Sequence, residues 1–182
     1  MNANLNEFAQ PTRYSWLTAF AGKYMNDWLT ISASALATII NEDVKEGGSA
    51  GNHRKLTPYI SASFKPFYHE EFRIRFFYKD IFRLPSFNDL YYQEVGNTKL
   101  RPENARQYNV GLTYSKNVCP FLPYLSATID AYYNKVTDKI IAYPTKNLAV
   151  WSMRNLGEVE IKGIDATGSL SLQPWERIRI NL

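Results

Sequence analysis

Carboxylates, imidazoles and thiols are the groups from which catalytic and metal sites are assembled, and this sequence scatters them. Asp130 and Asp138 lie near one end of a single predicted strand, and Asp165 lies in another. His53 and His69 sit in separate polar stretches, and Cys119 is the lone cysteine. Acid–base catalysis needs groups converging on one bond, a nucleophile needs a base in reach, and zinc needs clustered nitrogen and sulfur ligands. None of these patterns is present, so the sequence predicts neither an enzyme nor a metal or cofactor site. A single cysteine also excludes an intrachain disulfide. What recurs is basic side chains set opposite apolar ones: Arg73, Arg75 and Lys79 in one stretch, Arg177 and Arg179 in another. Their chemistry is ion pairing.

These cations are positioned by period-two segments. From Tyr124 to Asn134, Leu125, Ala127, Ile129, Ala131 and Tyr133 fall on one face, and Ser126, Thr128, Asp130, Tyr132 and Asn134 on the other. Phe72, Ile74, Phe76 and Tyr78 oppose Arg73, Arg75, Phe77 and Lys79; Tyr108, Val110, Leu112 and Tyr114 oppose Gln107, Asn109, Gly111, Thr113 and Ser115. That alternation marks strands with one apolar and one wet face. Further strands are predicted at Arg13 to Met25, Trp28 to Ile39, Thr57 to Phe67, Glu158 to Leu172 and Arg177 to Leu182, with a bulge at Gly163 where the apolar parity shifts. Most reach the roughly 9–11 residues with which a tilted strand crosses a bilayer.

Aromatic content is 15% while charged residues make up 21%. No window approaches the ~20 apolar residues of a membrane-spanning helix, so any crossing uses strands. The net charge of +4 comes from 21 basic and 17 acidic residues spread along the chain, which does not suit a nucleic-acid partner. Connections alternate in length. Asn26-Asp27, His69 to Glu71 and Gln173 to Glu176 are tight, and Asn117 to Pro123 is modest; long polar loops are predicted at Asn41 to Leu56, Leu84 to Asn104 and Ile141 to Gly157. That order is the topology of an outer-membrane barrel, short turns inside and long loops outside. No helix is required anywhere.

The run Phe82-Arg83-Leu84-Pro85-Ser86-Phe87-Asn88-Asp89-Leu90-Tyr91, then Gly96-Asn97-Thr98-Lys99-Leu100-Arg101-Pro102-Glu103, then Tyr108-Asn109-Val110-Gly111-Leu112, resembles the barrel signature of TonB-dependent receptors. Asn155-Leu156-Gly157 and Ile161-Lys162-Gly163-Ile164-Asp165 resemble a later segment of the same family, with Asp89 and Asp165 standing where glutamate is usual. The residues carried over are Arg83, Pro85, Ser86, Leu90, Tyr91, Gly96, Asn97, Leu100, Pro102, Glu103 and Gly163, expected to shape a loop and its strand ends.

The resemblance implies an all-β fold: an antiparallel up-and-down segment of about eight strands from a plugged outer-membrane barrel of about 22. All of 1–182 is then part of one barrel domain, with the plug domain and further strands outside it. It implies import of a scarce nutrient (iron-siderophore, haem, cobalamin or glycan) with energy from the TonB complex, reached through the plug, and contact with outer-membrane lipid. A surface lipoprotein is a further candidate partner. Phe87, Asn88, Tyr91, Tyr92, Tyr143 and Trp151 are the candidate ligand-contacting residues of the outer loops. Arg73, Arg75, Lys79, Arg177 and Arg179 are the candidates to face the lumen and pair with the plug. Two rival readings remain open here: a complete small outer-membrane barrel with a structural or adhesive role, and a soluble β-sandwich that binds a partner.

Overall fold

The computed structural model describes residues 9–45, 47–69, 71–92, 95–145, 151–175 and 178–181. Eight strands follow one another in chain order as spatial neighbours: β1 (Pro11–Met25), β2 (Leu29–Val44), β3 (His53–Phe64), β4 (Glu71–Arg83), β5 (Glu103–Lys116), β6 (Tyr124–Pro144), β7 (Trp151–Trp175) and β8 (Ile178–Asn181). Every pairing is antiparallel. Among the described residues β1 pairs only with β2 and β8 only with β7, so the sheet is an open section of wall.

The register carries the alternation sideways across strands. Phe76 pairs with Val110, Val110 with Ala131 and Ala131 with Ile164, while one residue away Arg75 pairs with Gly111, Gly111 with Asp130 and Asp130 with Asp165. One face is therefore apolar and the other polar, as a bilayer wall around a wet interior requires. Large apolar groups lie bare on the first face, including Trp16 at 69%, Phe20 at 73% and Ile164 at 75% exposure. In water such a surface is untenable; in lipid it is the solvated surface.

Three expectations need correction. The strands run further than the alternation does: β2 continues to Val44, β3 begins at His53, and β6 and β7 pair up to Pro144 and Trp151. Beyond the bilayer the outward face of a hairpin meets water instead of lipid, so the apolar–polar period fades while the ladder persists. A helix does exist, α1 (Phe87–Tyr91), capped by Ser86: the Ser86 hydroxyl accepts from Asp89 N–H, and Asp89 accepts from Ser86 N–H. That reciprocal pair is a capping box written in the sequence as S-x-x-D. Finally, Gly163 is no bulge, since the β6–β7 register runs unbroken through Tyr132 and Gly163. The glycine is instead the floor for the Tyr132 ring, whose hydroxyl occupies the space a Cβ would need. The irregular register occurs between Leu172 and Trp175, where β7 meets β8.

Candidate functional site at the loop-bearing end

The segment joining β4 to β5 does not stand free of the wall. It folds inward over the polar face and builds a buried cluster, Leu90, Tyr91, Leu100 and Ile140, with Val44, Ala50 and Met153 packed around it. Leu90 is 2% exposed and Tyr91 8%. Beneath them lies Glu42, whose carboxylate accepts from the Tyr91 hydroxyl and from Arg13 Nε at 2.7 Å. Arg13 also donates to the Pro85 carbonyl at 3.1 Å and lies 4.7 Å over the Phe87 ring. Burial first, and then the hydrogen bond to Glu42, pushes the Tyr91 phenol above its usual pKa.

The rest of the loop is fastened by asparagine side chains. Asn97 donates to the Met153 carbonyl at 2.9 Å and accepts from Lys99 N–H. Asn155 accepts from Arg101 N–H and donates to the carbonyls of Arg101 and Asp138. Arg101 Nε in turn donates to Asp138 at 2.9 Å. Glu103 accepts from Ile140 N–H and lies 3.4 Å from Arg83, which also approaches Asp89 at 3.8 Å. Gly96 has no alternative residue, because a Cβ would stand 2.6 Å from Tyr92 N and 2.8 Å from the Leu90 carbonyl, both backbone. Ser86, Pro102 and Leu100 complete the course of the loop, and Leu100 N–H bonds back to the Asn97 carbonyl.

Of the six residues expected to face a ligand, Phe87, Asn88 and Tyr92 are exposed on this loop, with Tyr92 at 57%. Tyr91 is not available, being buried and hydrogen-bonded to Glu42 and to Ala50 N–H. Tyr143 and Trp151 sit on paired strand ends instead of in a loop, and the register puts them on opposite faces of the β6–β7 hairpin. Tyr143 carries the Arg154 guanidinium 5.5 Å over its ring.

On the polar face, Arg75 donates to both oxygens of Asp130 at 3.0 and 2.9 Å. It reaches across β5 because Gly111 has no side chain there; a Cβ would collide with the Asp130 carboxylate. Arg75 Nε is buried and, among the described residues, has no partner. Arg73 lies 3.9 Å from Glu71, and Lys79 lines a cavity of 570 Å³ with Leu36, Thr57, Tyr59 and Phe82. Arg177 and the side chain of Arg179 lie outside the described residues. The residues that sequence reasoning missed are Arg13 and Glu42. The signal was Glu42 on the same parity as Thr38, Ile40 and Val44, hidden because that stretch has the polar composition of a loop.

A family model described as TonB dependent receptor-like, beta-barrel, matches residues 12–182. The chain is 34% identical over 84 residues to the vitamin B12 transporter BtuB of Vibrio vulnificus, covering 46% of this chain and 13% of that protein. It is 31% identical over 94 residues to the vitamin B12 transporter BtuB of Photobacterium profundum, covering 50% and 14%. The solved structure of the copper transporter OprC superposes with a TM-score of 0.68 at 12% identity, over 94% of this chain and 28% of that one. At that identity the likeness is one of fold.

Proposed function

This chain belongs to the TonB-dependent receptor-like β-barrel family, whose barrels lie in the bacterial outer membrane, and from that premise we propose that it is a wall section of an active importer of a scarce nutrient. Among the candidates we infer cobalamin, ahead of iron-siderophore, haem or glycan, because the two relatives reported above carry the name of a vitamin B12 transporter. The observation that carries the reading is the inward-folded β4–β5 loop, which narrows the outer mouth on the polar side while leaving Phe87, Asn88 and Tyr92 bare. Flat aromatic and amide groups at a mouth suit a large ligand that offers both apolar rings and amide edges.

The polar face is where a plug would seat. Arg73 and Lys79 offer donors to its acidic groups, beside Arg75, whose guanidinium is already held by Asp130, and the plug would carry the contact with the TonB complex. The chain spans about one seventh of the length of the curated relatives it matches, so the transport activity is that of the parent receptor.

Uptake of labelled cyanocobalamin by cells expressing the full coding region tests this directly. Uptake should require the energy-transducing complex and be weakened by replacing Phe87 and Tyr92 with alanine. Energy-dependent uptake of a ferric chelate without cobalamin uptake would replace the ligand, and energy-independent passage of small solutes would sink the importer itself.

A further inference from the structure

The ladder between β6 and β7 is open at one point. It sets Thr137 opposite Glu158 and Lys139 opposite Leu156 but skips the pair between them, Asp138 and Gly157. The register is the same on both sides, so no residue has been inserted; one rung is missing from both strands at once. Asp138 is the cause. Its φ of 55° is left-handed, and among the described residues Gln10 is the only other non-glycine with positive φ. A strand residue in that conformation leaves the plane of the ladder and is strained unless its surroundings hold it.

Two side chains hold it. The Asp138 carbonyl accepts from Asn155 Nδ2 at 2.7 Å, and the Asp138 carboxylate accepts from Arg101 Nε at 2.9 Å. Arg101 is itself fixed through its backbone, its N–H donating to Asn155 Oδ1 at 2.8 Å and its carbonyl accepting from Asn155 Nδ2 at 2.9 Å. The end of the β4–β5 loop thus sets the backbone of a residue 37 positions away.

Beyond the open rung, residues 139–144 and 151–156 pair with each other and lean on that loop. Ile140 is 7% exposed against Leu90 and Leu100, Met153 packs beside them, and Met153 N–H donates to the Val95 carbonyl at 2.9 Å. Across the rung Gly157 leaves slack, since no atom lies within 4 Å of the place a Cβ would take. A strained residue facing a bare glycine, with an intact ladder on either side, lets a hairpin bend as two stiff pieces.

We propose that the β6–β7 hairpin has two settings about Asp138 and Gly157, one bent onto the β4–β5 loop and one straight, with Asp138 extended and the rung closed, and that Arg101 selects the bent one. Two such settings need only a modest free-energy gap, which a single charged partner can reverse. Without Arg101 the extended backbone wins, and Ile140 and Met153 rise off Leu90 and Leu100. That this movement uncovers the mouth of an importer rests on the function proposed above; the two settings rest on the backbone and its partners alone.

The test uses the full-length receptor purified in detergent, its cysteines replaced by serine, Cys119 included, with spin labels at Asp43→Cys on the end of β2 and Ser152→Cys on the outer part of the hairpin. Pulsed electron paramagnetic resonance should give one dominant distance. Arg101→Gln should add a second, longer one, while Lys139→Gln, next to the rung, should add none. Asp138→Val, whose branched side chain resists positive φ, should make the longer distance the major one. Asp138→Gly, which accepts positive φ but lacks the carboxylate, should keep more of the shorter distance than Asp138→Val. An unchanged single distance in Arg101→Gln overturns the proposal, and so does one broad spread, the sign of a hairpin that melts instead of swinging. Equal shifts in the valine and glycine variants would make the ion pair the whole cause and overturn the role of the backbone. Heat-modifiable electrophoretic mobility checks assembly, and if Asp138→Val fails to assemble, Arg101→Gln against Lys139→Gln decides. Because uptake is not the readout, failure here leaves the importer reading standing.

Discussion

The two ends of this wall hold their connections by different physics. At the long-loop end the β4–β5 segment buries Leu90 and Tyr91 to 2% and 8% and sinks a carboxylate under them. At the opposite end the connections are short and bare, with Tyr68 at 85% and Phe121 at 57% exposure. Order there comes from the ladder itself and from edge contacts such as Trp28 on Phe64 at 5.8 Å. A tight turn needs no core because the strands fix its ends, whereas a span from Leu84 to Pro102 must find one.

The comparison breaks first at Glu42. Its side chain is 2% exposed and Arg13's is 18%. Removing one partner of a buried pair typically costs about 3–5 kcal/mol because the other charge is stranded. Glu42→Ala should therefore release the 84–102 segment, seen as fast hydrogen exchange there with the β5–β6 turn unchanged. If exchange rises equally at both ends, the latch is part of the global fold and the two ends are not independent.

Leu90→Ala is the apolar counterpart. Truncating a fully buried leucine costs about 2–5 kcal/mol, depending on how far the site collapses. The loop should loosen without losing its polar fastenings at Asn97 and Asn155, so protease nicking near Tyr92 should increase while the β6–β7 hairpin stays protected. Protection of both regions would show that Leu100 and Ile140 close the gap.

Tyr91 sharpens the contrast through pH. Its phenol is raised in the folded loop, so its stabilisation is fully present below the ordinary tyrosine value of about 10 and is lost as pH rises through the folded value. Loop-specific exchange should rise in that alkaline window, and Tyr91→Phe should abolish the step. A step that persists in the phenylalanine variant would assign it to another group.

What is legible in the sequence follows the same division. Phe72 to Lys79 and Tyr124 to Asn134 announce strands because each face meets one solvent throughout, and the alternation of tight and long connections gives the topology. Glu42, Val44 and Met153 look like loop residues because their outward neighbours meet water instead of lipid, and the 84–102 segment that covers their buried side lies far away in sequence. The capping box at Ser86 and Asp89 is written in the sequence but easily passed over, since five helical residues carry no period of their own. Tyr91 shows the deeper difficulty: an aromatic in a predicted outer loop looks like a ligand contact until its hydroxyl is found on a carboxylate two strands away in sequence.

The smallest effect belongs to the tight-turn end. Lys65 pairs with Glu71 across the β3–β4 turn, but Glu71 is 56% exposed. A pair so open to water contributes roughly 0–1 kcal/mol. Lys65→Met should leave the thermal midpoint and exchange at residues 71–83 almost unchanged, because the paired backbone of β4 and β5 holds the turn's ends in place. A loss comparable to Glu42→Ala would mean that the turn depends on side chains as the mouth does, and that a short connection alone does not free a barrel end from needing a latch.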